Sequence, residues 1–322
     1  MRRRIDSKAR IRPSENCHWI YPPVTQLTIS VIITTYNEGR ELYRTVRSVL
    51  ENTPSLTEII VVDDGSTDGS CEALAADQVR IIRHDSRLGV ARSRDEGSRV
   101  ARGDVICYLD AHQRVERRCL DRCARVAVDQ QAIACPDLRA FGLLKRRTRG
   151  ADFQMCPEQG YFSARWRSRL QSPGVSPVTA LRAPPYLIPR PMYAAVSWSR
   201  SLQGWGATEA SMVVKSFFSG IGILHIAGPL ARHRFQKEFS YPTSWDGIWR
   251  NHAIIARVCF DNATWLPYWL PRVFDPRLTE EARQALASVE IQAEHEAFQR
   301  NKVRADRQFW TDLLQTAPPA DV

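Results

Sequence analysis

Asp110, Ala111 and His112 follow an apolar run, Val105 to Leu109, and a carboxylate and an imidazole in that place can do metal chemistry. The run reads as a fully buried strand. In extended backbone, residues two apart point the same way, so Asp110 and His112 converge on one point. A carboxylate oxygen with an imidazole nitrogen suits a divalent ion such as Mn²⁺, or Mg²⁺, with waters or phosphate oxygens as further ligands. The pattern predicts a metal at the carboxyl edge of a sheet, where ligands of open α/β folds bind.

The elements that must position these groups alternate. A buried strand over 29–34 precedes a helix-patterned segment over 38–51, with Leu42, Val46, Val49 and Leu50 on one face. A second strand over 58–62 runs into Asp63-Asp64-Gly65-Ser66-Thr67-Asp68-Gly69, which reads as a turn followed by helix capping. A third strand (79–82), a helix (90–101) and the strand ending at Asp110 complete an α/β pattern that predicts a parallel sheet of right-handed βαβ units. After about residue 140 the rhythm stops; 141–192 is rich in Arg, Pro and aromatics and is expected to form loops shaping a pocket. Residues 279–314 predict one or two amphipathic helices. Residues 1–26 are polar and basic, an extension outside the core.

With 322 residues and 43% apolar content, the chain can build one large core or two small ones. Its formal charge of +10 favours acidic partners: nucleotide phosphates, an acidic carrier protein, nucleic acid or an anionic membrane surface. The same charge also serves solubility alone. Eight cysteines include no C-x-x-C pair, which suggests a reduced, cytoplasmic protein. No apolar stretch follows the basic N-terminus, and no run approaches the roughly 20 apolar residues of a membrane span, so neither a signal peptide nor a span is expected.

Taken in order, the motifs resemble a nucleotide-sugar glycosyltransferase of the GT-A fold. Ser30-Val31-Ile32-Ile33-Thr34-Thr35-Tyr36-Asn37-Glu38 resembles the opening of glycosyltransferase family 2 and of the polypeptide N-acetylgalactosaminyltransferases. The blocks from Glu58 to Ser66 and from Arg87 to Arg94 are similar to the same families. Asp110-Ala111-His112 resembles the Asp-x-His of the polypeptide transferases, where family 2 usually carries two aspartates. Trp205-Gly206-Ala207-Thr208-Glu209 and Arg232-His233-Arg234-Phe235-Gln236-Lys237 agree with that assignment. The resemblance covers roughly 28–265. It implies a GT-A domain over 27–270, with a nucleotide-binding half (27–140) and an acceptor and metal half (141–270), followed by a helical segment over 271–322.

Residue by residue, the resemblance implies that Asp110, His112 and His233 hold Mn²⁺ against a UDP-sugar diphosphate; His225 competes with His233 for the third place. Asp64 matches the uracil-binding aspartate, and a helix cap is its other reading. Thr34, Tyr36 and Glu38 of the first block fall in the UDP-sugar site. Arg87 matches an arginine near the nucleotide; Arg94 joins it or lies on a solvated basic face. Trp205 either walls the sugar pocket or is a core tryptophan.

Two departures stand out. The family glutamate lies three residues after the tryptophan, where this chain has Thr208, so Glu209, four residues on, is taken as the residue facing sugar and acceptor. An arginine three residues after the third ligand is here Gln236, which leaves phosphate contact to Arg234 or Lys237. The polypeptide transferases retain anomeric configuration, and Ala210 stands where an inverting family 2 enzyme commonly has its base.

The expected activity is transfer of an N-acetylhexosamine from a UDP-sugar to a peptide, a small molecule or a carrier-tethered acceptor, with no nucleic acid involved. The alternative is an inactive transferase-like module that docks an acidic partner through its basic face. A dinucleotide-binding dehydrogenase is disfavoured, since no GxGxxG follows the first strand.

Overall fold

The structure, a computed structural model, describes residues 27–322 except 73, 75–76, 142–146, 157–159, 170–172, 236–242, 274–278 and 321. The N-terminal half is the expected alternation. Strands β1 (Ile29–Thr35), β2 (Leu56–Asp63), β3 (Val79–Arg83) and β4 (Val105–Asp110) pair in parallel in the order β4-β1-β2-β3. Helices α1 (Arg40–Asn52) and α2 (Val90–Val100) supply two of the crossovers.

The central strands are buried on both faces, which is why they read as continuous apolar runs rather than alternating ones. Ile32, Ile60, Val62, Ile106 and Tyr108 face one core, whereas Val31, Ile33, Ile59, Val61 and Cys107 face the other. Burying each such large side chain is worth about 1.5–3 kcal/mol, so this sheet is the rigid base of the molecule. Helix α2 lies close against it: a Cβ on Gly97 would sit 2.8 Å from Ile32 and 3.2 Å from Val62.

Residues 141–192 correct the expectation of loops. They hold β7 (Arg147–Thr148), β8 (Ala151–Cys156), β9 (Tyr161–Trp166), β10 (Val175–Val178) and β11 (Tyr186–Pro189), after β5 (Gln113–Val115), α3 (Cys119–Asp129) and β6 (Ile133–Ala140). Strands β8 and β9 form a hairpin. Strand β11 inserts antiparallel between β4 and β6, and β12 (Ile223–His233) runs parallel to β6. The sequence around β11 is dense in Arg and Pro, but its four residues are all buried, so the sheet continues through a segment whose flanks read as loop.

The turn after β2 also departs from the expectation. Among the described residues no helix follows it before β3. Its carboxylates tie loops together instead: Asp63 accepts from the Ser66 N–H at 2.8 Å, and Asp68 from the Gly39 N–H at 2.9 Å.

Beyond the short helix α4 (Tyr193–Val196), helices α5 (Thr208–Phe218) and α6 (Trp245–Cys259) cover one face. The C-terminal helices Glu280–Leu286 and Val289–Asn301 pack on α6, and Phe298, Phe309 and Trp310 enter the same core as Phe218 and Phe260. No helix among the described residues is long and apolar enough to cross a membrane.

Candidate active site

Sheet register assembles the site. Thr34 at the end of β1 is level with Asp110 on β4 and with Val62 on β2, so Thr34, Asp110 and the following Asp64 share one sheet edge. Antiparallel pairing of β5 with β12 sets His233 opposite Gln113, which draws the end of β12 against the turn after Asp110.

Asp110 and His112 converge, although not by the expected strand alternation. Strand β4 ends at Asp110, and residues 111–112 form a turn. The turn is pinned from within: the Asp110 N–H donates to Gln113 Oε1 at 3.0 Å, the Gln113 amide donates to the Pro184 carbonyl, and Thr45 Oγ1 donates to the Ala111 carbonyl at 2.6 Å. Asp110, His112 and His233 then offer one ligand atom each, all within 4.8 Å of one another. His225 does not compete, because it is buried against Asp137 at 2.9 Å.

The donor set fits a divalent ion with mixed oxygen and nitrogen preference. His112 Nδ1 lies 2.9 Å from Glu38 Oε1, an arrangement that fixes the ring and leaves Nε2 for an ion. Glu38, expected in the nucleotide site, thus supports a candidate metal ligand. Burial works against the charged form of His112, but the hydrogen bond to Glu38 and the charge of Asp110 outweigh it and raise its pKa. Burial likewise opposes ionisation of Asp110; His233 at 3.2 Å and Arg94 at 3.1 Å overcome it and hold the carboxyl well below the usual range.

Arg94 is not on a solvated face. Its side chain is 3% exposed and bridges Asp110 to Glu209 (3.0 Å) and to the Tyr186 hydroxyl (2.8 Å), which itself donates to Glu209 at 2.7 Å. Burial would lower the Arg94 pKa, yet Tyr186, Glu209 and Asp110 raise it, so the cation is permanent. Glu209, in the first turn of α5, is therefore oriented from two sides.

Asp64 is not a helix cap. Its Oδ1 accepts from the Leu88 N–H at 2.8 Å and faces His84 Nδ1 at 2.9 Å, and its Oδ2 accepts from the Gly89 N–H at 3.0 Å. The loop bearing Arg87 is thereby tied to β2, and the Arg87 guanidinium stacks 4.6 Å from the Tyr36 ring centre. Gly89 touches the Trp205 loop, and a Cβ there would lie 2.7 Å from the Gly204 nitrogen. Trp205 is 39% exposed, a wall residue rather than a core one. Lys237 and Gln236 lie outside the described residues.

The named nucleotide, metal and sugar residues line one cleft of about 540 Å³, from Thr34 and Asp64 past Asp110 and His233 to Trp205 and Glu209, whereas Arg234 is not among its lining residues. Phe153, Tyr161, Phe162, Trp166 and Ile248 also line it, together with Ser163, Arg182 and His252. Tyr186, Gln113 and His84 were not singled out in the sequence. Gln113 directly follows the Asp110-Ala111-His112 motif, the one signal pointing to it, and acts by accepting from the Asp110 N–H; Tyr186 and His84 lie in no motif and gain their roles from the antiparallel β11 and from the 84–64 contact.

Comparison with known proteins places this geometry. The fold is shared with the crystal structure of GalNAc-T7 with UDP, GalNAc and Mn²⁺: TM-score 0.71 at 20% identity, covering 91% of this chain and 57% of that one. It is also shared with S. aureus TarS 1-349 in complex with UDP-GlcNAc: TM-score 0.52 at 15% identity, covering 89% of this chain and 76% of that one. These likenesses define the fold class, GT-A.

Within that class, residues 30–177 match the Glycosyl transferase family 2 profile. A 120-residue stretch is 42% identical to polypeptide N-acetylgalactosaminyltransferase 14 of Homo sapiens, covering 35% of this chain and 22% of that protein. The chain therefore spans about a fifth of the length of the curated relatives it matches.

Proposed function

We propose that this chain transfers an N-acetylhexosamine from a UDP-sugar to an acceptor hydroxyl, with a divalent metal ion as cofactor. The observation that carries the reading is the convergence of Asp110, His112 and His233 within 4.8 Å at the carboxyl edge of the sheet, in the same cleft as Asp64 and Glu209. Asp110, His112 and His233 would hold the ion, which supplies positive charge against the departing diphosphate. Two imidazoles favour Mn²⁺ over Mg²⁺, which prefers an all-oxygen shell.

Asp64 Oδ2 carries one hydrogen bond and has lone-pair capacity left for a uracil N–H. Arg87 and Tyr36 border the nucleotide side, and Trp205 and Glu209 the sugar. Glu209 Oε1 is held by Arg94 and Tyr186, which suits a fixed contact to the donor sugar rather than a mobile base. This placement, with Ala210 next in the chain, supports retention of configuration.

The aromatic side chains lining the cleft suit packing of an acceptor chain, and a Ser/Thr-bearing peptide is the acceptor the relatives suggest. The test is a thermal-shift panel of UDP, UDP-GlcNAc, UDP-GalNAc, UDP-glucose and GDP-mannose, with Mn²⁺ or EDTA. Stabilisation confined to UDP compounds and lost with EDTA is expected, and His112→Ala should abolish it. Equal response to GDP-mannose, or no response to any nucleotide, would overturn the reading.

A further inference from the structure

His84 follows β3 and is buried between two carboxylates. Its Nδ1 lies 2.9 Å from Asp64 Oδ1 and its Nε2 lies 2.8 Å from Glu96 Oε2, the latter on α2. A carboxylate only accepts, and a neutral imidazole has a single N–H, so one nitrogen of a neutral ring would face a carboxylate with lone pair against lone pair. Both contacts are satisfied together only by an imidazolium. Other charges act on the far side of Glu96: Arg92 at 3.9 Å and Arg200 at 3.7 Å. Arg83, the residue before His84, turns to Asp63 and Glu72.

We propose that His84 is a positioning residue for the donor nucleotide: as an imidazolium clamped by Glu96, it fixes the Asp64 carboxylate for the base. The proposal rests on the UDP-sugar reading above. Loss of the ring proton forces a choice between Asp64 and Glu96, and Asp64 also holds the Leu88 and Gly89 N–H groups. The clamp therefore couples protonation to the loop that carries Arg87.

The discriminating variant is Glu96→Gln. An amide can donate to Nε2, so a neutral ring can then keep its Nδ1–H on Asp64. UDP affinity of the full chain with Mn²⁺ would be measured from about pH 6 to about pH 8. Each variant is read as its ratio to wild type, which cancels the titration of the phosphate and of the other histidines.

Glu96→Gln should bind UDP relatively better as pH rises. His84→Ala should weaken binding about tenfold at the acid end, as expected for loss of a hydrogen bond to a charged group, with a smaller deficit at the alkaline end. A Glu96→Gln ratio that does not change with pH would overturn the proposal, as would unweakened binding by His84→Ala. Failure of wild type to bind UDP at any pH would instead overturn the functional reading, and the clamp with it.

Discussion

Replacing Arg94 by methionine tests the electrostatics of the site. The guanidinium is 3% exposed and sits between two carboxylates that each keep about a quarter of their exposure, Asp110 at 23% and Glu209 at 25%. Removing one partner of a fully buried pair costs about 3–5 kcal/mol, because the other charge is left uncompensated. Residual hydration of both carboxylates places Arg94→Met at the low end, about 3 kcal/mol, or roughly 4–5 °C in a chain of this size. Divalent metal should partly reverse the loss: in wild type Arg94 repels an ion at Asp110, so the variant should bind Mn²⁺ more tightly and gain more stability from it. Urea unfolding with and without Mn²⁺ reads both quantities. A cycle with Glu209→Gln should show coupling above about 1 kcal/mol. A destabilisation below about 1 kcal/mol, or a variant that binds Mn²⁺ no better than wild type, would refute this account of the network.

Three other predictions follow from separate features. Glu38→Ala should weaken Mn²⁺ binding about 10–100-fold by freeing the His112 ring, with the metal-free unfolding midpoint little changed; calorimetric titration measures it. His252 accepts from the Phe162 N–H and is pushed down to about 3 by burial, so the folded protein keeps it neutral. Its contribution is complete above the unfolded value of about 6.5 and falls away below it, costing about 2 kcal/mol by pH 5; His252→Asn should lack that loss in urea unfolding compared at pH 7 and pH 5. Gly89→Ala should cost about 1–3 kcal/mol and disturb the Trp205 loop, seen as a change in Trp fluorescence, because φ is +92° and the added Cβ meets the Gly204 backbone.

The sequence by itself determined the nucleotide half. Short uninterrupted apolar runs such as Val105 to Leu109, alternating with helix-periodic segments, read as buried strands paired in parallel. Carboxylates and imidazoles at the strand ends then mark the edge where a ligand sits, so Asp64, Asp110 and His112 were legible as residues. How they meet was not. The turn that joins Asp110 to His112 depends on Gln113 and Thr45, and His233 arrives because β12 pairs with both β6 and β5, strands far from it in the chain.

Tertiary structure also decided the fate of charges whose sequence context looked exposed. Arg94 lies in a polar helix and ends in the core because Tyr186, on a strand hidden among prolines, comes to rest beside it. His84 acquires meaning only from Asp64 on one side and Glu96 on the other. Local patterning fixes which backbone segments are buried; the partner of a buried charge is set by long-range packing, which hydrophobic periodicity does not encode.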